Sequence, residues 1–135
     1  MLRSVAAVIA GYLVLAVLTI LTTVGLSAAN PDTFPPMGSG RTPDVPAMAV
    51  IAGLSALFTV LGGYVTAWIA RRAEWKHALA LGLLCEVFAL FELTVARMGR
   101  PLGFMRAAAL PPIPAALLGG GLRARRSQPA AAPVA

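Results

Sequence analysis

The sequence predicts an all-α, polytopic membrane helical bundle of four transmembrane helices, the fourth kinked by prolines. Three observations carry that prediction. Hydrophobic residues make up 59% of the 135 positions and charged residues only 12%, with a mean hydropathy of +0.82. Soluble domains are about 45–50% apolar and about 25% charged, so half the charge needed to coat a water-facing surface is missing. The charges that remain are segregated, leaving four long charge-poor runs between short charged connections. Finally, one cysteine, Cys85, excludes a disulfide framework, and the hydrophobicity excludes disorder. The net charge of +6 suits membrane flanks better than a nucleic-acid face, so no nucleic-acid partner is predicted.

The first helix is predicted over about 4–29, between Arg3 and Asn30-Pro31-Asp32. Crossing about 30 Å of hydrocarbon at about 1.5 Å per residue takes about 20 residues, so this run can span with tilt. Arg3 followed by an apolar run and Ser27-Ala28-Ala29 is similar to a secretory signal with its cleavage site. Signal cores hold about 7–15 apolar residues, however, and the longer run here predicts an uncleaved helix. Residues 30–45 carry Pro31, Pro35, Pro36 and Pro43 with Gly38 and Gly40, which sustain neither helix nor ladder and predict an irregular extracytoplasmic loop.

The second helix is predicted over 46–70 and the third over 77–96, the latter containing Glu86 and Glu92. The fourth, over 102–122, meets Pro111, Pro112 and Pro114 and is expected to kink there, with Arg106 at the membrane edge. Residues 1–126 thus form one domain, and the Pro/Ala-rich tail 127–135 is expected to be disordered.

Basic residues in short connections set orientation. Arg3, Arg71, Arg72, Lys76, Arg123, Arg125 and Arg126 fall on one side of such a bundle, against Arg41, Arg97, Arg100 and Arg106 on the other. This excess predicts a multi-pass protein of the cytoplasmic (inner) membrane with both termini in the cytoplasm. Trp68 and Trp75 bracket the Arg71-Arg72 connection, where indole rings prefer the interface. Arg71, Arg72, Lys76, Arg123, Arg125 and Arg126 are expected to meet anionic lipid headgroups on that side.

Helices in lipid associate through small residues and interhelical hydrogen bonds, because lipid tails solvate leucine as well as another helix does. Ser55, Thr59, Gly63 and Ala67 form a spacing-four stripe on the second helix. On the third, Ala78, Gly82, Cys85, Ala89, Glu92 and Ala96 share a seam with Glu86 at its edge, while Leu83, Leu84, Val87, Phe88, Phe91 and Val95 face lipid. The helix-packing residues are therefore Ser55, Thr59, Gly63, Ala67, Gly82 and Ala89. A central acid costs about 2.5 to 3.5 kcal/mol on insertion, which the apolar residues of this segment barely offset. A compact bundle is expected, whose partners are other membrane helices or copies of itself.

The intramembrane polar candidates are Glu86, Glu92, Arg106 and Thr59. Glu86 falls near the midplane at the depth of Thr59, where an unpaired carboxylate is costly; Glu92 falls in the outer half within reach of Arg106. One reading makes these acids polar glue between helices. The other makes Glu86 a proton or cation site. Polar glue is favoured, because only one helix is acidic and no acceptor chain completes a proton path. His77 reads as an interfacial side chain and Cys85 as an inert packed thiol. No nucleophile-and-base set, zinc motif or cofactor fingerprint is present, so no catalytic, metal or cofactor site is predicted.

Gly62-Gly63-Tyr64-Val65, Ile69-Ala70-Arg71-Arg72, the His77 entry to the third helix and Leu118-Gly119-Gly120-Gly121-Leu122-Arg123 resemble small bacterial four-helix integral membrane proteins of uncharacterised function. Length and helix count are also similar to small multidrug transporters, whose essential acid lies in the first helix, where this chain has none. The resemblance implies the architecture and no activity. The expected function is a structural or accessory helix-packing component, not an enzyme. The alternative is a small oligomeric proton- or cation-coupled transporter or channel using Glu86.

Overall fold

The computed structural model describes residues 2–36, 39–71, 73–91 and 112–127, and every regular element among them is a helix. Helix α1 covers Leu2–Ala29, with no proline to interrupt it. It ends at Asn30, whose N–H still donates to the Leu26 carbonyl at 2.9 Å while its Oδ1 accepts from the Thr33 N–H at 3.3 Å. Pro31 cannot continue the helical ladder.

Helix α2 covers Val45–Ala70 and has defined caps at both ends. Asp44 takes the extended N-cap conformation and accepts from the Ala47 N–H at 3.0 Å, satisfying one of the free first-turn donors. Pro46 lies in that same first turn, where its missing N–H costs nothing. At the other end Arg71 is left-handed (φ 56°), and its N–H closes onto the Ala67 carbonyl at 3.2 Å. This is the left-handed stop usually made by glycine.

Ala73 is also left-handed (φ 49°) and reverses the chain into α3, Glu74–Phe91. The Ala73 carbonyl accepts from the N–H groups of Lys76 (2.9 Å) and His77 (3.4 Å), and His77 Nδ1 lies 3.0 Å from the same oxygen. Helix α3 therefore starts three residues before the predicted His77. Glu74 enters its first turn, where a negative charge meets the positive end of the helix dipole.

The final helix, α4, covers Pro112–Ser127. Pro112 and Pro114 lie in the first turn of its described part, and the kink expected near Pro111 lies at the limit of the described residues. The helix also runs past Leu122, so Arg125 and Arg126 lie in its last turn and complement the negative end of its dipole. The predicted segments 92–96 and 102–111 and the tail 128–135 lie outside the described residues.

Helix α2 is the centre of the bundle, packing against α1, α3 and α4; α4 also lies along α3, and α1 touches α3. Helices α1 and α2 are antiparallel, since Arg3 meets Ile69 while Thr19 and Thr23 lie by Ile51 and Ser55. The interior is made of small side chains: Ala7, Ala67, Ala70, Ala78, Ala115 and Ala116 are buried with Thr59 and Thr66. Leu81 is the one bulky aliphatic among the described residues that is fully buried, at 0% exposure. Large apolar side chains point outward instead, including Ile9, Leu13, Val17, Leu21 and Val24 along α1, with Leu21 64% exposed.

Among the described residues two helices, α1 and α2, are long and apolar enough to cross a membrane. Helix α3 carries Glu74, Lys76 and Glu86 within 18 residues. The 16 described residues of α4 extend about 24 Å at about 1.5 Å each, and they include Arg123, Arg125 and Arg126.

Candidate functional site

The most specific geometry in the protein is the set of helix crossings. At the α1–α2 crossing, a Cβ on Gly11 would overlap Thr66 Oγ1 and come within 2.6 Å of the Gly62 carbonyl oxygen, while a Cβ on Gly62 would lie 2.9 Å from the Gly11 carbonyl. Only hydrogens fit there. The α2–α4 crossing is similar: Gly63 abuts the Ala116 backbone, and Gly119 abuts the carbonyl of Val60 and lies 2.8 Å, measured from a built Cβ, from the Tyr64 nitrogen. Between α3 and α4, a Cβ built on Gly82 would lie 2.9 Å from the Ile113 Cα, and Gly120 abuts the Ala78 methyl. Ala116 thus sits where Gly63 and Gly82 both face α4. Such close approach lets the helix backbones pack directly against one another.

Of the predicted packing stripe on α2, Thr59, Gly63 and Ala67 are buried and Ser55 is half-buried. Thr59 turns its hydroxyl back along its own helix, donating to the Ser55 carbonyl at 2.8 Å. Gly82 is buried and Ala89 half-buried on α3. A second stripe, Gly62, Thr66 and Ala70, is also buried, and sequence reasoning did not single out its Thr66 or Ala70. Its spacing of four was the available signal. One helix with neighbours on two adjacent sides buries two stripes, and choosing a single stripe misses the other. Leu81 was likewise missed; it reaches the α2 glycines, with its Cδ2 at 3.4 Å from a Cβ built on Gly62.

Thr66 is 0% exposed and its Oγ1 has no hydrogen-bond partner among the described residues. The hydrogen that replaces a Cβ on Gly11 points at this oxygen, giving the weak Cα–H···O contact that recurs at helix interfaces.

Between the C-terminal half of α1 and the N-terminal half of α2 lies a shallow, open cleft. Thr19, Thr22 and Thr23 line it from α1, and Ser55 and Phe58 face them from α2.

Glu86 is half-buried on α3, one turn beyond Gly82. Phe88, assigned to the lipid side by the sequence pattern, is half exposed and stacks on Tyr12 of α1, with ring centroids 5.4 Å apart and planes at 22°. Cys85 is a free, half-buried thiol. Glu92, Arg106 and Arg72 lie outside the described residues, so the expected Glu92–Arg106 pairing does too. Among the described residues no group of three or more His, Cys, Asp or Glu is placed to hold a metal.

Charge is distributed unevenly along the bundle. Arg3 Nε donates to the Ile69 carbonyl at 3.2 Å, tying the start of α1 to the end of α2. Gly121 packs on Trp75, with Cζ2 at 3.5 Å from a built Cβ, which brings the end of α4 beside the start of α3. Arg3, Arg71, Lys76, Arg123, Arg125 and Arg126 therefore gather at one end, accompanied by Glu74. Asp32, Arg41 and Asp44 lie at the other, where Arg41 and Asp32 approach to 3.9 Å as an exposed pair.

No protein-family model, curated protein or solved structure matches this chain.

Proposed function

We propose that this chain is a four-span integral membrane protein of a bacterial cytoplasmic membrane, with both termini in the cytoplasm. It acts as a non-catalytic structural or accessory component that holds helices together through small-residue faces. The inverted distribution of side chain size carries this reading: alanine, glycine and threonine inside, Leu13, Val17, Leu21, Val24, Val87 and Leu118 outside. In water such an outer surface would be one large apolar patch, whereas in lipid it is solvated. The gathering of basic residues at one end supports the orientation, since short cytoplasmic connections carry an excess of lysine and arginine. The same side would meet anionic headgroups.

Membrane extraction and cysteine labelling test the placement. In a Cys85→Ala background, Ser39→Cys should react with an impermeant maleimide added to intact cells, and Ser127→Cys should react only after lysis. Release of the chain by alkaline carbonate, or labelling of Ser127→Cys from outside, overturns the reading. Purification in mild detergent tests the accessory role, because recovery of the chain alone as a stable oligomer counts against an obligate partner.

A second reading, a small oligomeric proton- or cation-coupled transporter or channel, is favoured by one observation. Glu86 is a half-buried acid within the otherwise apolar part of α3. Proteoliposome flux abolished by Glu86→Gln, with the folded protein still recovered, would support it over the structural role.

A further inference from the structure

We propose that Arg123 is the seat of a single phosphate group at the basic end of the bundle, carried by an anionic phospholipid or by a soluble phosphate. The proposal rests on the headgroup contact read above, which treats every basic residue at that end alike, and assigns one of them a defined ligand.

Burial sets Arg123 apart. Among the described arginines and lysines, Arg3, Arg41, Arg71, Lys76, Arg125 and Arg126 are exposed, whereas Arg123 is half-buried. Its Nε is shut off from solvent and has no hydrogen-bond partner among the described residues, and no ion pair joins Arg123 there. The buried hydroxyl of Thr66 shares that lack of a partner, but it is neutral and meets a Cα–H. An enclosed donor on a charged group is the costlier of the two to leave unmet.

Helix geometry places the side chain. Gly119 abuts the Val60 carbonyl on α2, and Gly120 abuts the Ala78 methyl on α3. At about 100° per residue, Arg123 falls between those two directions, about 40° from Gly119 and about 60° from Gly120. It therefore enters the seam between α2 and α3, about one turn nearer the basic end than the glycines. The Glu74 carbonyl lies 3.8 Å from a Cβ built on Gly120, and the Trp75 ring 3.5 Å from one on Gly121, so Arg123 comes level with the start of α3. Indole rings settle at the depth where lipid headgroups begin.

With Nε enclosed, a ligand meets this guanidinium through its two Nη groups. Two parallel N–H donors match two phosphate oxygens, which a lysine ammonium cannot do. Arg3, Arg71, Lys76, Arg125 and Arg126 gather at the same end, outweighing Glu74 and favouring an anion. They attract it by charge alone, and this difference separates a seat from a charged surface.

The test uses the full chain in mild detergent, titrated with dioleoylphosphatidylglycerol and read by native mass spectrometry. Binding should saturate at one tightly held molecule. Arg123→Lys keeps the charge and removes the fork, and should weaken binding at least about tenfold, as loss of a charge-assisted hydrogen bond does. Arg125→Lys and Arg126→Lys should each change it less than about twofold. On the wild-type chain, dioleoylglycerol, which has the same chains without the phosphate, should bind at least about tenfold more weakly. Displacement of the lipid by millimolar inorganic phosphate supports a soluble ligand at this seat, and resistance to it supports a lipid whose chains add to the hold. Equal responses of the three lysine variants, dioleoylglycerol binding as tightly as phosphatidylglycerol, or binding without saturation each overturn the seat and leave the membrane reading intact. Release of the wild-type chain from membranes by carbonate overturns the membrane reading, and inorganic phosphate binding lost in Arg123→Lys would then support the seat by itself.

Discussion

The hydroxyl of Thr66 fills the notch left by the missing side chain of Gly11, so that α1 and α2 meet with an oxygen against a Cα–H. This places one of the most buried polar atoms of the bundle at its tightest crossing. Gly11→Ala should therefore destabilise the α1–α2 pair by about 1–3 kcal/mol, the usual cost of overpacking a well-filled interior. Adding Thr66→Ala should recover only part of that loss, because the Gly62 carbonyl also stands 2.6 Å from the new methyl position. A thermal-stability double-mutant cycle in detergent measures the coupling.

Thr66→Val alone should be tolerated, with a change smaller than about 1 kcal/mol. A valine keeps the branched shape and removes a hydroxyl that has no hydrogen-bond partner among the described residues, so little is lost with the polar atom. A large loss of thermal stability would show that the hydroxyl has a role its surroundings do not reveal.

Glycines in these helices should separate into two groups under alanine substitution. Gly119→Ala and Gly63→Ala drive a methyl into the backbone of Val60 and of Ala116, which cannot rotate away, and should cost about 1–3 kcal/mol or prevent assembly. Gly25→Ala and Gly53→Ala place the methyl in open space inside a helix and should stabilise by about 0.5–1 kcal/mol. Comparing the melting temperatures of the four variants is decisive, and an inverted order would refute the described crossings.

The reversal between α2 and α3 places two residues with side chains, Arg71 and Ala73, in left-handed conformation. Left-handed backbone costs an L-residue about 1–2 kcal/mol, part of which glycine returns to the unfolded chain as entropy. Ala73→Gly should therefore raise stability by about 0.5–1 kcal/mol. A fall in the melting temperature would indicate another turn geometry.

The ends of α1 and α2 were legible in the sequence to within two residues, because each is bounded by a strong signal: Asn30-Pro31 after α1, Asp44 before α2 and Arg71 after it. The start of α3 was read three residues late. Its boundary depends on Ala73 adopting a left-handed turn, and nothing about alanine announces that. Among packing residues, Gly63 and Thr59 emerge from a single spacing-four stripe. Thr66 and Ala70 require knowing that α2 has neighbours on two sides, and the stacking of Phe88 on Tyr12 depends on how α3 leans toward α1.

The alanine, glycine and threonine interior also fixes how this protein should respond to temperature. Gly and Ala surrender almost no rotamer freedom on packing, and within a bilayer the large apolar side chains stay in contact with lipid whether the helices are together or apart. Separating the helices in lipid would therefore transfer little apolar surface to water, the process that gives soluble proteins their large unfolding heat capacity. Stability in a bilayer should fall nearly linearly on warming, without the curvature that leads soluble domains to denature in the cold.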